Sequence, residues 1–426
     1  MKGFYLSKMQ PSFSGLATAT KKAAAKTGAS LRGVFAPKDV PSELGFGERL
    51  LEEAAASPLT LLLVLSLVLN VVLLLRTRRK PAANGHVNGR ATGQKSSALE
   101  ALAARRAAAK ANHRAPVIGS LTGAVDDLAR MKEAFQYKEA GELLDELQKA
   151  LSQAGSFSWG ASDAKARLAE LLADGLLTQR IRVAREATES LNQDDGFELM
   201  KEDEGKRVLQ RLTPDRHLTV KIEAVLEGVS PADCLLIWRE AELYPTWFPF
   251  ISGGKQLACL SAGEVFLHIL VETFFMSVDM VLHGWACDNL KHEGNFMLNV
   301  RPVRHGTPLP NGLPHPKIGG NGATKVFGAL RAHAVIDVLL EPLSETSVRF
   351  AFQMSDHVPP FMPSWAINYI VMNAMADIFD KMREVAVKMH AGDPNSPHVQ
   401  HVGRRSYHET QKWFRSKVGD YVSANL

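Results

Sequence analysis

The first strong pattern along the chain is an apolar run without a charged residue over 58–75, PLTLLLVLSLVLNVVLLL. As a helix, these 18 residues would extend about 27 Å, close to the roughly 30 Å hydrocarbon core of a bilayer. A buried core helix would carry polar positions, and the apolar part of a signal peptide would not begin at residue 58. The run therefore predicts a single transmembrane helix.

Basic residues are distributed unevenly on the two sides of this run. Four of them lie between Arg76 and Lys80, whereas the 20 residues before Pro58 contain only Lys38 and Arg49. Because basic flanks stay on the cytosolic side of a membrane, we expect the chain after residue 76 to face the cytosol, at the endoplasmic reticulum or another endomembrane. The same basic cluster can also lie on anionic lipid headgroups.

The head of the chain leaves the choice of membrane open. Residues 1–38 contain no Asp or Glu and are rich in Ser, Ala, Thr and Lys. This composition fits an organelle transit peptide or a short disordered head. With a transit peptide, the membrane would be plastid or mitochondrial, and the main domain would face the stroma or matrix.

Beyond the membrane run, the spacing of apolar residues changes once. They recur every three or four positions up to residue 192, which predicts an α-helical hairpin whose second helix packs on the following domain. From Phe197 apolar and polar residues alternate, which predicts strands, with one helix opened by Ser230 between the third and fourth. A long helix with one continuous apolar stripe is predicted over about Ser364–Met389. This order indicates an α+β fold, in which a curved antiparallel sheet wraps around the C-terminal helix.

These patterns divide the chain into six segments. The predicted segments are a head that is either disordered or transit-like (1–57), a transmembrane helix (58–75), a basic flexible tether (76–120), a helical segment (121–159), the main α+β domain (160–390) and a C-terminal tail (391–426).

The net charge of +5 conceals a strong asymmetry. Residues 1–115 contain 18 basic residues against six acidic ones, so the remainder carries a net −7. A mildly acidic main domain speaks against a nucleic-acid partner, which would require basic residues on a folded face.

The sequence lacks the common motifs for metal, cofactor and catalytic chemistry. The three cysteines show no paired CxxC spacing, and the 14 histidines form no HExxH pattern. GxSxG and GxxxxGK[ST] patterns are absent from the sequence as well. We therefore expect no metal site, no cofactor and no catalytic residues.

Three phrases resemble the START family, the StAR-related lipid-transfer domains with a helix-grip fold. They are VKIEAVLEGVSPADCLLIWREAELYPTWFPFI, MSVDMVLHGWACDNLKHEGNFMLNVRPV and SDHVPPFMPSWAINYIVMNAMADIFDKM, and the resemblance covers about residues 160–390. It implies a deep apolar cavity between the sheet and the C-terminal helix for one lipid or sterol-like molecule. Together with the transmembrane helix predicted over 58–75, it indicates a membrane-anchored form of such a domain.

Apolar and polar candidates for this cavity lie on the predicted strands and the last helix. A site of this kind is mostly apolar with a few orienting polar groups. The candidate lipid-binding residues are Phe275, Met280, His283, Trp285, Arg301, Arg349, Phe352, Trp365 and Met372. The turn over His357–Trp365 is a candidate lid, with Phe361 and Met362 as its apolar surface.

Three functions are consistent with the sequence. The first is a non-catalytic, membrane-anchored lipid-binding or lipid-transfer protein. The second is a lipid-regulated scaffold that binds a protein partner through its helical hairpin. The third is an enzyme on a related helix-grip fold, of the cyclase or hydrolase type. We rank them in that order, because an enzyme would need convergent polar groups inside the cavity.

Overall fold

The structure is a computed structural model, and it describes most of the chain after residue 117. The described residues are Ala104, 118–153, 162–173, 175–203, 205–272, 277–316, 329–358, Met362, 364–402 and 405–425. No helix among them is both long and apolar enough to cross a membrane. The predicted transmembrane run, 58–75, lies outside the described residues, so it stays a prediction.

Helices come first in the described chain. Ser120 caps the first of them, since its Oγ accepts a hydrogen bond from the backbone N–H of Gly123 at 3.1 Å. The buried residues Leu121, Val125 and Leu128 lie on one face of this helix, as the three-to-four spacing predicts. The N-terminal helices are α1 (Leu121–Glu133), α2 (Tyr137–Gln153), α3 (Ser162–Ala173) and α4 (Leu176–Asn192).

The described strands form one ten-stranded sheet in the order β1-β2-β3-β10-β9-β7-β6-β5-β4. All neighbours in this order are antiparallel, and β8 pairs in parallel with the first residues of β6. The strands are β1 (Glu198–Asp203), β2 (Lys206–Leu212), β3 (His217–Glu227), β4 (Ile251–Ser261), β5 (Glu264–Glu272), β6 (Ser277–Asn289), β7 (Asn295–Pro302), β8 (Ala329–Arg331), β9 (Val335–Ser344) and β10 (Ser347–His357).

The remaining helices lie between and after the strands. They are α5 (Pro231–Arg239), a 3-10 helix (Ala241–Thr246), α6 (Leu290–Glu293), a 3-10 turn (Pro310–Gly312), α7 (Ser364–Tyr369), a π-helical turn (Ile370–Met375), α8 (Ala376–His390), α9 (Pro397–Val402) and α10 (Arg405–Asn425).

The long helix predicted over about Ser364–Met389 contains an irregularity that its periodicity did not show. A π-helical turn over Ile370–Met375 joins α7 to α8. A π turn inserts an extra residue, which shifts the register of the apolar stripe. Met375 is consequently buried between Val371 and Ile378.

Helix α4 packs on the face of the sheet opposite the C-terminal helix, as predicted for the second helix of the hairpin. Ser190 of α4 and Gln353 of β10 exchange a hydrogen bond at 2.8–3.0 Å. Arg180 of α4 forms an ion pair with Glu264 of β5. The sheet therefore lies between two helical layers, and we call the side covered by α4 its outer face.

The segment treated in the sequence as a C-terminal tail, 391–426, contributes to the core. Phe414, Val418 and Val422 of α10 are 1–6% exposed and belong to the same hydrophobic cluster as the sheet. Arg415 of α10 also lies 3.3 Å from the buried carboxylate of Asp233 in α5. The tail helix thus packs on the main domain.

Candidate functional site

A cavity of about 290 Å³ lies on the other face of the sheet, between the strands and the helices that cover them. This volume is just below the roughly 300–1,000 Å³ typical of small-molecule sites. The floor comes mainly from β5, β6, β7, β9 and β10. We call this side of the sheet the cavity face.

Strand alternation explains why the floor is apolar. Alternate residues of a strand point to opposite faces of its sheet, so one residue in two can line the cavity. Asp356 continues the alternating series of β10 as its one charged member, Ile251 adds a residue from β4, and Trp285 departs from the alternation. The other strand residues of the floor are Val265, Leu267, Ile269, Val271, Val278, Met280, Leu282, Gly284, Leu298, Val300, Ile336, Val338, Phe352 and Met354.

The roof of the cavity is aromatic. Trp238 of α5 stacks on Phe352 with ring centroids 5.1 Å apart, and Phe248 meets Trp238 edge-on at 6.2 Å. Met375 and Ile378 line the cavity from the π turn and α8, and Phe414 reaches it from α10. The cavity wall therefore combines α5 and the sheet with residues from the last helices of the chain.

Polar ends of the roof residues are already engaged within the protein. The Tyr244 hydroxyl donates to the backbone carbonyl of Trp238. Burial raises the pKa of Tyr244, so this hydroxyl keeps its proton. The indole N–H of Trp238 donates to Met382 Sδ at 2.8 Å. Neither group is set up for proton transfer to a ligand.

One base and one acid occur among the described lining residues, Arg239 and Asp356. Arg239 is 9% exposed and is paired with Glu240 at 3.0 Å. Burial raises the pKa of Asp356, while the backbone N–H of His357, 2.7 Å away, lowers it by a smaller amount.

The structure brings Met280, Trp285 and Phe352 of the predicted site residues together at the cavity. Met280 and Phe352 lie on the cavity face. Trp285 borders the cavity from β6, but its ring lies within 6 Å of the guanidinium groups of Arg180 and Arg301 on the outer face. The role of these three residues in lipid binding stays a prediction.

His283, Arg301 and Arg349 lie on the outer face, contrary to the placement expected from the sequence. His283 Nε2 is 2.9 Å from Glu264 Oε1, and Arg301 Nη1 is 2.8 Å from Asp337 Oδ1. Arg349 reaches Glu341 at 2.6 Å and Glu223 at 3.1 Å. Buried charges need such partners, and acidic residues on neighbouring strands supply them.

The other predicted residues are placed differently. Met372 is 40% exposed and does not line the cavity. Trp365 lies in α7, but its side chain is outside the described part of the structure, as are Phe275 and Phe361. Met362 is partly buried and packs against the hydrophobic core.

Sequence reasoning missed the roof and the acidic group. Trp238, Tyr244 and Phe248 belong to the aromatic-rich stretch that follows Ser230, so an excess of aromatic residues there was the available signal. Asp356 was not among the candidate residues, although it directly precedes the predicted lid. Phe414 carried no signal, because its contact with the cavity depends on how α10 folds back.

No protein-family model matches the chain, and no curated protein sequence matches it. Solved structures do match. The STAR-related lipid transfer protein from Xanthomonas axonopodis is 21% identical over 45% of this chain and 98% of that one, with a TM-score of 0.35. Human StAR-related lipid transfer protein 5 is 13% identical over 49% and 95%, with a TM-score of 0.39. Human STARD10 is 14% identical over 53% and 86%, with a TM-score of 0.41.

These structural neighbours are START domains. They carry the name of the family that the three sequence phrases resemble. The antiparallel sheet and the helices on its two sides agree with the helix-grip fold that this resemblance implies. At identities of 13–21%, the likeness to START domains concerns the fold alone.

Proposed function

We propose that the chain is a lipid-binding and lipid-transfer protein that holds one lipid or sterol-like molecule in the cavity. The observation that carries the proposal is the cavity of about 290 Å³, whose lining is apolar or aromatic apart from a few polar ends. Burying an apolar ligand surface there is favourable by roughly 25 cal/mol per Å². The names of the structural neighbours, lipid transfer proteins, agree with this function.

We also propose that binding occurs without catalysis. The hydroxyl of Tyr244 and the guanidinium of Arg239 are hydrogen-bonded to protein groups, so they support the architecture of the cavity. Acid–base catalysis would need a proton donor and a proton acceptor aligned on a reacting bond, and Asp356 is the single carboxyl group among the described lining residues. Incubation of the full-length chain with its bound lipid, followed by mass spectrometry, would reveal an unexpected product if this part of the proposal is wrong.

The scaffold alternative is less well supported by the geometry. A partner-binding hairpin needs an exposed apolar face, but Leu177, Ile181 and Leu191 of α4 are 5% exposed or less. These residues face the sheet and the helices beside it. The described part of the hairpin is thus occupied with intramolecular packing.

The proposed location is a membrane, with the main domain on the cytosolic side. It is supported by the charge-free run 58–75 and by the basic residues that follow it. In the endoplasmic reticulum or another endomembrane this side is the cytosol, and in a plastid or mitochondrion it is the stroma or matrix. The full chain should resist alkaline extraction, whereas deletion of 58–75 should release it, and release of the full chain would refute the anchor.

Cavity filling tests the binding function directly. Gly284 lies on the cavity floor, and a Cβ added there would meet Val265 and Val300 at 3.6 and 3.7 Å, an ordinary contact distance. A longer side chain at residue 284 can therefore extend into the cavity. We expect Gly284→Leu to reduce binding of the neutral apolar dye Nile red by about tenfold or more, since it removes space that the ligand needs.

Gly253 offers a matched control for this substitution. It lies on β4 outside the cavity lining, and a Cβ there would meet Leu270 at 3.6 Å. Gly253→Leu makes the same chemical change and should leave dye binding within about twofold of the wild type. Equal loss in both variants would point to general destabilisation, and unchanged binding in Gly284→Leu would show that the ligand site lies elsewhere.

A further inference from the structure

The two charged lining residues lie at opposite ends of the cavity. Val265 and Val271 of β5 both line it, and six residues at about 3.3 Å each place them about 20 Å apart. Arg239 is at the Val265 end, because its Nε donates to the carbonyl of Ala262 in the turn before β5 at 3.2 Å.

Asp356 is at the Val271 end. Val271 pairs with Val278 across the sheet, and the backbone of the adjoining Asp279 accepts a hydrogen bond from Ala332 at 2.9 Å. The backbone N–H of the next residue, His333, donates a hydrogen bond to the carboxyl group of Asp356. The carboxyl group therefore borders the same end of the cavity as Val278.

Two exposed apolar residues lie at this end of the cavity. Phe250 lines the cavity there and is 49% exposed, and its carbonyl accepts a hydrogen bond from Glu272 at the end of β5. Leu330 of β8 pairs with Val278 and is 42% exposed. A ligand that keeps its polar end near water would place that end beside Asp356.

At the opposite end, the guanidinium group of Arg239 is already hydrogen-bonded within the protein. Arg239 donates to Ala262, to Glu240 and Gln256 at 3.0 and 3.1 Å, and to Cys259 Sγ at 3.1 Å. Its charge is compensated by Glu240, and its donors are directed away from a ligand. An anionic headgroup placed at that end would gain no new ion pair. A lipid bound in the reversed orientation, with its anionic end beside Arg239, would therefore have no partner for its charge.

We propose, on the basis of the proposed function, that Asp356 makes the cavity select lipids that end in an uncharged hydroxyl group over lipids with an anionic end. A hydroxyl can donate a charge-assisted hydrogen bond to the carboxylate. A carboxylate or phosphate at the same place would be repelled, and this repulsion is stronger in an apolar cavity than in water. The raised pKa of Asp356 agrees with a poorly solvated carboxyl group.

Two ligands with the same tail test this selectivity. 1-Hexadecanol and hexadecanoate differ only at the polar end, and their displacement of Nile red from the full-length chain can be compared at about pH 8.5, where carboxyl groups are ionised. We expect the wild type to bind hexadecanol at least about tenfold more tightly than hexadecanoate. Asp356→Asn, which removes the charge and keeps the shape, should reduce this ratio to about twofold or less, mainly through tighter binding of hexadecanoate.

Two further variants keep the outcome clear. Asp356→Ser should behave like Asp356→Asn and retains an acceptor for the His357 N–H, so selectivity does not depend on one variant folding well. Glu345→Gln removes an exposed carboxylate at the other end of β10 and should preserve the wild-type ratio. Equal binding of both ligands to the wild type, or an unchanged ratio in the Asp356 variants, would overturn the inference and leave lipid binding standing. Binding of neither ligand would overturn the proposed function as well.

Discussion

Arg216 donates a hydrogen bond from its guanidinium group to the backbone carbonyl of Met362 over 2.5 Å. Arg216 lies in the turn between β2 and β3 with a φ of 63°. Its own carbonyl accepts a hydrogen bond from the backbone N–H of Val358 at 2.9 Å. One residue thus holds both ends of the segment 358–362, which begins two residues after Asp356 and is part of the predicted lid.

Removal of the hydrogen bond from Arg216 to Met362 should speed ligand entry. Arg216→Ala eliminates the bond to Met362 but keeps the backbone bond to Val358, and alanine avoids the extra backbone freedom that glycine would add at a positive φ. We expect Nile red to associate several-fold faster, and the free energy of unfolding to fall by about 1 kcal/mol. Stopped-flow fluorescence and urea unfolding measure the two effects.

Arg211 provides the control for this prediction. It lies at the end of β2, with its guanidinium carbon 4.6 Å from the centre of the Phe197 ring. Arg211→Ala should leave the association rate unchanged. If Arg216→Ala also leaves the rate unchanged, opening of the 358–362 segment does not limit entry.

The apolar surface of the predicted lid consists of Phe361 and Met362, and the effects of these two residues can be measured separately. Replacement of both Phe361 and Met362 by Ser should slow lipid pickup from vesicles several-fold, since an apolar turn lowers the cost of meeting a membrane interface. Because Met362 packs partly buried against the core, Met362→Ser should by itself cost about 1–2 kcal/mol of stability. A fluorescent-lipid pickup assay and a urea melt on each single variant distinguish the contributions, and normal pickup by the double variant would remove the lid from the mechanism.

Glu139 predicts a specific pH dependence of stability. This carboxyl group is 4% exposed on α2, and burial raises its pKa to about 7. His292 Nε2 lies 3.3 Å from its Oε1, Asp288 raises the pKa further, and Lys138 lowers it by a smaller amount. The folded protein therefore keeps a proton on Glu139 that the unfolded chain, with a pKa near 4.5, has already lost.

The contribution of Glu139 to the free energy of unfolding should therefore decrease as the pH rises from about 4.5 to about 7. Above about pH 7 this contribution should stay constant. Glu139→Gln imitates the protonated form, so we expect it to raise the free energy of unfolding by about 2–3 kcal/mol near pH 8 and by much less near pH 5. Glu146→Gln, two turns along the same helix at a more exposed position, should show no such difference. Equal effects of Glu139→Gln at both pH values would contradict the assignment.

Phe414 tests whether the C-terminal helix is part of the domain. Its ring is 1% exposed, borders the cavity and lies 5.6 Å from the ring of Phe296. Phe414→Ala should therefore cost about 3–4 kcal/mol, since it leaves a void in the core. The exposed neighbour Lys412 is the control, and Lys412→Ala should change the urea midpoint little. A loss below about 0.5 kcal/mol for Phe414→Ala would show that α10 does not pack stably.

The predicted tether sets a further expectation for transfer. About 45 flexible residues have a mean span of about 35–40 Å, and fully extended they reach about 150 Å. Shortening the tether to about ten residues should leave Nile red binding intact and lower lipid exchange to a second, separated membrane. Unchanged exchange with the shortened tether would mean that its reach does not matter.

The identity of most elements could be predicted from local patterns. The change from three-to-four spacing to alternation near Phe197 separates α4 from β1, and Ser230 precedes α5 as a capping residue would. The helix expected over about Ser364–Met389 differs from the structure only by its π turn. Periodicity reports which residues share a side of an element, and it is insensitive to a single inserted residue.

The cavity itself was harder to predict, because alternation does not say which face is inside. Arg301 and Arg349 were expected to line it, yet they pair with acidic residues on the outer face, between the sheet and the N-terminal helices. Met280 and Phe352 were expected there too, and they do line it. The difference depends on which helical layer covers which face, and that layer comes from distant parts of the chain.

The sequence by itself therefore determined the order of helices and strands and the α+β class. It also determined that the strands and the last helix contain enough apolar residues to line a cavity, since all three features follow from local patterns of neighbouring residues. Only the tertiary structure decided that Arg239 and Asp356 border opposite ends of that cavity, and that Phe414 completes its wall. Arg239 and Asp356 are 117 positions apart in the chain, and Phe414 lies a further 58 positions along it. Their contacts arise when burial of apolar surface packs two helical layers against one sheet, and no local pattern records the outcome of that packing.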